Sequence, residues 1–248
     1  ENPDIIIGYN IFGFDWSFLI NRSEELDCEE EFKKMSKIKN EISQIKNTSI
    51  KIASGTHELT YINITGRVQI DLYNYFRKDV NLPSYKLDYV ASHFIGDYVK
   101  KYEYDNMENR TRIYSQNLQG LKEGHYICFE LIGYSSDMYE EGAKFIISNL
   151  NTKEGYFDIS TKLKVEKKKI RWCLAKDDVT PHDIFRMTNE GPSERAIVAK
   201  YCIQDCNLVH NLMLKNDIIT TMIEQANICR VPINYIVMRG QGIKLLSF

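Results

Sequence analysis

The 248-residue sequence predicts an α/β fold interrupted by a mostly antiparallel β insertion, and three observations predict it. DIIIGYN, Asp4 to Asn10, is an unbroken apolar run of the kind that forms a buried parallel strand. Strand-like and helix-like patterns alternate from there to Gly96, and helical patterns return after Thr180. Between them Gly120, Gly124, Gly133, Gly142 and Gly155 punctuate short alternating runs, the mark of β-hairpins.

Composition sets the outer limits. With 43% hydrophobic and 27% charged residues the chain can build a core, which excludes a disordered or collagen-like polymer. The 32 Lys and Arg against 34 Asp and Glu give a net charge of −2, so bulk charge advertises neither a nucleic-acid nor a membrane partner. The longest apolar stretch, Ile5 to Ile20, contains Asn10 and Asp15 and falls short of the roughly 18 apolar residues of a spanning helix. We expect no membrane association. The six cysteines are too scattered for a disulfide scaffold and no basic-then-apolar leader precedes them, which predicts reduced intracellular thiols.

Taken in order, DIIIGYN needs neighbouring strands for its backbone groups, and Ile50 to Ala53, Tyr61 to Ile64 and Val68 to Leu72 are the candidates within the chain. A strand of this kind is not expected to open a domain, so the sequence reads as a piece of something longer. Phe14 to Glu25 has helical apolar spacing, and a Lys-rich charged segment runs from Glu29 to Lys51. RVQIDL, after Gly66, is a strand running into a short helix at Leu72, Tyr75 and Phe76. Pro83 and Ser84 start a helix over Tyr85 to Ile95, with Gly96 expected as its C-terminal cap. His125 to Leu131, Lys144 to Ile147 and Tyr156 to Ile159 are strands of the insertion. The basic run Lys162, Lys164, Lys167, Lys168, Lys169 and Arg171 at its exit reads either as a solvated strand face or as a surface for a nucleic-acid backbone. Thr180-Pro181-His182-Asp183 and Gly191-Pro192-Ser193-Glu194 are two helix starts, the second opening a long helix past Leu212.

Two settings carry chemistry. Asp15 follows a strand-to-helix turn, among Phe12, Phe14 and Trp16, at the carboxyl edge of a strand, where α/β sheets bind ligands. Tyr201 and Asp205 lie four apart on one helix face, where a phenol can hold a water while the carboxylate holds a metal. Cys202, Cys206 and His210 also stack at four-residue spacing; zinc is one reading, and a helix face packed into a core is the other.

These motifs resemble the 3′–5′ proofreading exonuclease domain of family B DNA polymerases, nearest the delta-type enzymes and those of large eukaryotic DNA viruses. The family's N-x-x-x-F-D motif is matched by Asn10, Phe14 and Asp15, and its Y-x-x-x-D motif by Tyr201 and Asp205. GRVQIDL is similar to the strand between them, and ANICRVPINYIVMRGQGIKLLSF to the passage toward the polymerase palm. The resemblance implies a ribonuclease-H-like fold lacking its first strands. It implies exonuclease parts at residues 1–97 and 172–225, an insertion at 98–171, and the start of a connection to the palm at 226–248. Asp15 and Asp205 would hold metal, two Mg²⁺ ions with Mn²⁺ as an alternative, and Tyr201 would orient the attacking water. Asn10 and Phe14 would contact the 3′ nucleotide, Phe14 being equally readable as core, and Asp71 sits at a family position readable as structural or catalytic. The family's D-x-E motif is absent and expected upstream of Glu1, so this stretch alone is expected to be inactive. Implied partners are DNA at a single-stranded primer 3′ end, the remainder of the polymerase chain and a processivity factor. The implied location is a viral replication site or the host nucleus or cytoplasm. The rival reading is an inactive exonuclease-like scaffold that binds primer-template DNA.

Overall fold

The computed structural model describes residues 2–52, 55–165, 168–175 and 179–239. In chain order the elements are β1 (Ile5–Gly8), a π-type turn (Ile11–Asp15), α1 (Trp16–Glu25), α2 (Glu29–Phe32), β2 (Gln44–Ile52), β3 (Gly55–Asn63), β4 (Val68–Asp71) and α3 (Leu72–Asp79). There follow α4 (Leu87–Phe94), β5 (Gly96–Asp105), β6 (Arg110–Ser115), β7 (Tyr126–Ile132), β8 (Ser136–Met138), β9 (Phe145–Asn151), β10 (Tyr156–Ile159) and β11 (Lys169–Ala175). The helices α5 (Pro181–Asn189), α6 (Pro192–Lys215), α7 (Ile218–Cys229) and α8 (Ile233–Met238) complete the described chain. They form two compact units, residues 1–85 with 217–248, and residues 86–216.

In the first unit β1 pairs in parallel with β4, Ile7 opposite Ile70 and Gly8 opposite Asp71. The expected strand and its parallel partner are therefore present, but β1 is half-buried along its length rather than fully enclosed. β2 and β3 form their own antiparallel hairpin. Strand β2 starts at Gln44, inside the Lys-rich segment, because pairing with β3 supplies its backbone hydrogen bonds while most of its side chains face water. The hairpin base delivers Leu59 and Ile62 to a core with Phe12, Trp16, Ile20 and Ile64. The helix α1 turns Trp16 and Ile20 inward, four residues apart, whereas Phe14, Phe18, Leu19 and Leu26, the apolar positions whose helical spacing the sequence shows, are exposed.

The second unit is built on β strands whose ladders close on themselves. The order β11-β5-β6-β10-β9-β7 returns to β11 through the β11–β7 pairing, making a six-stranded antiparallel ring with β8 appended to β7. Closure leaves no open edge on those strands. Inside, Phe157 packs edge-on against Trp172 at 5.9 Å between ring centres, and Ile113, Ile127, Phe129 and Ile147 are fully buried around them. Cys128 and Cys173 face each other across β7 and β11 with Sγ atoms 3.1 Å apart.

Gly96 does not cap α4. It opens β5 opposite Cys173, near the end of β11, so the first and last strands of the ring are neighbours. The helix end is instead held by Arg171, whose Nη2 donates to the carbonyls of Ser92 (2.9 Å) and His93 (2.8 Å) while Nη1 reaches Glu130 at 2.9 Å. A Cβ on residue 96 would lie 2.5 Å from the Trp172 carbonyl oxygen and 2.7 Å from the Arg171 guanidinium, so only glycine fits. Pro83 and Ser84 also lie ahead of the α4 start, whose cap position is Lys86 with no side-chain cap bond. Both later helix starts are found where expected. Thr180 and Asp183 form a reciprocal capping box on α5, and Gly191 precedes Pro192 at the head of α6.

Candidate active-site elements

Asn10, at the end of β1, takes the left-handed conformation with φ 65°, which a short polar side chain tolerates better than most. Its carbonyl accepts from the N–H groups of Gly13 (3.1 Å) and Phe14 (3.0 Å), winding the chain into the π-type turn that ends at Asp15. The Asn10 side chain lies over Gly13, at the place a Cβ there would occupy.

Asp71, at the end of the parallel partner strand, holds this turn together. Its carboxylate accepts from the backbone N–H of Asn10 (2.7 Å), Phe12 (3.2 Å) and Tyr73 (3.0 Å), and from the Asn74 side-chain amide (3.0 Å). It is 1% exposed, and burial raises its pKa to about 6 against the opposing pull of those hydrogen bonds. Four donors occupy the acceptor capacity of one carboxylate.

Asp15 is different in kind. It is exposed, and among the described residues no Lys, Arg or His pairs with its carboxylate; partial desolvation raises its pKa from the ordinary carboxylate value. Beside it Phe14 is 62% exposed and stacks on Phe18, 57% exposed, with ring centres 6.1 Å apart and planes 14° apart. Phe14 is therefore not core; Phe12, two residues earlier, fills that role.

Tyr201 and Asp205 lie in the second unit, on α6, and both line one cleft together with His125, Tyr126 and Leu174. Neither His125 nor Tyr126 stood out in the sequence, because strand pairing and not local spacing carries them to that place. Asn10, Phe14, Asp15 and Asp71 thus belong to one unit, and Tyr201 and Asp205 to the other. The row Cys202, Cys206 and His210 is exposed, not packed into a core, and among the described residues no three His, Cys, Asp or Glu side chains converge as a metal cluster. In the basic run at the barrel exit, Arg171 is spent on α4 and Glu130, and Lys162 lies over the Tyr104 ring at 4.8 Å. Lys167 and residues 240–248 of the segment resembling the palm connection lie outside the described residues.

Comparison with known proteins adds a family frame. Residues 1–90 match the family described as DNA polymerase family B, exonuclease domain. The whole chain aligns at 44% identity with a DNA polymerase of Phaeocystis pouchetii virus, covering 25% of that protein. It aligns over 99% of its length at 38% identity with a DNA polymerase of Pyramimonas orientalis virus, covering 19% of it. A DNA polymerase delta catalytic subunit of Plasmodium falciparum is 26% identical over 99% of the chain, which covers 15% of that protein. The chain thus spans a quarter or less of the length of these curated relatives.

Proposed function

We propose that the chain belongs to the family B DNA polymerases, as part of their exonuclease domain, and that it supplies most of a 3′–5′ proofreading exonuclease to a DNA-directed DNA polymerase used in replication. The observation that carries the proposal is the family match over residues 1–90, which contains an exposed carboxylate, Asp15, beside an exposed aromatic pair. In this reading β1 and β4 are two strands of a ribonuclease-H-like sheet, and residues 98–171 are an insertion in that domain.

The donor chemistry fits hard divalent cations. Asp15 and Asp205 are carboxylates, the ligand type Mg²⁺ and Mn²⁺ prefer; the Asp71 carboxylate is committed to four N–H donors. Two such ions, when bound, would activate a water and stabilise the leaving oxygen of a phosphodiester. The Tyr201 hydroxyl, one helical turn from Asp205, orients the attacking water. Phe14 and Phe18 offer a stacking face for an unpaired base, a contact indifferent to sequence, as proofreading requires. Asp71 acts through the turn, holding Asn10 and Phe12 so that Asp15 emerges at a defined place. The bound DNA is a single-stranded primer 3′ end, and the remainder of the polymerase and a processivity factor are the protein partners.

In the full-length protein, Asp15→Ala or Asp205→Ala should abolish Mg²⁺-dependent release of nucleotides from a 3′ end and leave primer extension intact. Undiminished excision in either variant removes that residue from the site. Undiminished excision in both leaves the scaffold reading.

A further inference from the structure

We propose that the β barrel forms one wall of the exonuclease cleft, with His125 and Tyr126 contacting an unpaired nucleobase of the strand being excised; this rests on the reading above that Tyr201 and Asp205 serve excision. The described residues that line the cleft all lie within residues 86–216. One side is a stripe of α6, in which Tyr201, Gln204, Asp205 and Asn211 recur at helical spacing; the other is the start of β7, His125 and Tyr126.

The wall is rigid for reasons visible in the backbone. Tyr126 sits opposite Ala175 of β11 on one side and Ile146 of β9 on the other. His125 is tied by its N–H to the Lys122 carbonyl (3.2 Å) and by its own carbonyl to the Ile147 N–H (3.0 Å). Its Nδ1 accepts from the Lys122 N–H at 3.2 Å.

The chemistry of the lining identifies the occupant. Among the described residues that line the cleft none is Lys or Arg. A phenol ring, an imidazole and the carboxamides of Gln204 and Asn211 instead suit the flat face and polar edge of a base. The stacking part of this contact does not discriminate among bases, and it places the strand beside Asp205. A segment that looked like a separate decoration in the sequence thereby becomes part of substrate binding.

The test uses the full-length protein and a single-stranded oligonucleotide. A stacked base contributes about 1–3 kcal/mol, so Tyr126→Ala should raise the KM of excision about tenfold with kcat within about threefold of the parent. Tyr126→Phe should restore the parent KM, His125→Ala should raise KM, and primer extension should be unchanged throughout. Should Tyr126→Ala fail to fold, judged by loss of primer extension, His125→Ala decides: an unchanged KM overturns the proposal. A KM for Tyr126→Phe as high as that of Tyr126→Ala also overturns it, since stacking survives in phenylalanine. Asp205→Ala separates the two levels. If it abolishes excision while the His125 and Tyr126 variants behave as the parent, the wall proposal falls and the exonuclease reading stands. If it excises normally, the exonuclease reading falls first.

Discussion

Replacing Asp71 by alanine should loosen the turn that presents Asp15, although residue 71 is buried and touches no substrate in our reading. The substitution strips the acceptor from three backbone N–H groups, Asn10, Phe12 and Tyr73, and from the Asn74 amide. A buried donor left without a partner costs about 1–3 kcal/mol. Tyr73 opens a helix, where water can reach its N–H, so the two turn amides carry the effect; because the Asn10 bond is only part-buried and the Phe12 bond is buried, together they give about 3 kcal/mol, toward the low end of about 2–6 kcal/mol for two such donors. With about 1.4 kcal/mol per factor of ten, amide exchange at Asn10 and Phe12 should accelerate on the order of a hundredfold, read by hydrogen-exchange mass spectrometry on the full-length protein. Excision should fall in parallel, since misplacement by about 1 Å costs on the order of a hundredfold in rate. Asp71→Asn keeps one oxygen for two of the donors and should do less damage on both readouts. Exchange at Asn10 to Phe12 within threefold of the parent in Asp71→Ala would show that something other than this carboxylate holds the turn.

Other expectations rest on the same kind of accounting. Phe14→Ala removes half of an exposed aromatic pair, so stability should move by less than about 0.5 kcal/mol while the KM for single-stranded excision rises about tenfold; an unchanged KM would detach the pair from DNA. Gly96→Ala forces a Cβ against the Trp172 carbonyl and the Arg171 guanidinium, at a cost of about 1–3 kcal/mol, visible as faster exchange in β5 and β11; parent-like protection there would refute the close approach. Asp158, fully buried on β10, is pushed toward a higher pKa by burial, but the forked Arg112 contact (2.9 and 3.1 Å), Asn149 and Arg110 outweigh this and leave it lowered. Its folded pKa lies below the unfolded value of about 3.9, so its stabilisation is present above about pH 4 and lost as pH falls through the folded value. Protection of β6 and β10 should therefore drop on acidification below pH 4, and Asp158→Asn should flatten that dependence; equal pH profiles would contradict it.

Much of the local structure was legible because its causes are local. The DIIIGYN strand, the switch from RVQIDL into α3, the Thr180–Asp183 box and the Gly191-Pro192 helix start each depend on residues within one or two turns of each other. What was misread depends on distant partners. The end of α4 looked like a glycine cap because the group that holds it, Arg171, lies 78 and 79 residues from the carbonyls it binds. Strand β2 was hidden in a Lys-rich segment because a hairpin with mostly exposed side chains needs no apolar alternation, only a partner for its backbone. The Cys202, Cys206 and His210 row suggested a core face; the buried residues of α6 are instead Leu208, Val209, Leu212 and Met213, farther along the helix. Motif spacing drew attention to Asp15, Tyr201 and Asp205 as candidates, but the part of Asp71 in the turn could be read only once β4 was seen to pair with β1.

The neighbouring first and last strands of the ring bear on how this protein can change over generations. Gly96 and Cys173 are paired across adjacent strands, so the chain leaves and re-enters at points about one strand spacing, ~4.8 Å, apart, however much sequence intervenes. Residues can be gained or lost between those points without displacing the segments on either side, and the entropy of closing the excursion grows only with the logarithm of its length. Variation in size within the lineage should therefore concentrate in the turns of the barrel. The pairing at Gly96, where no side chain fits, is the seam that must stay constant for the ring to hold.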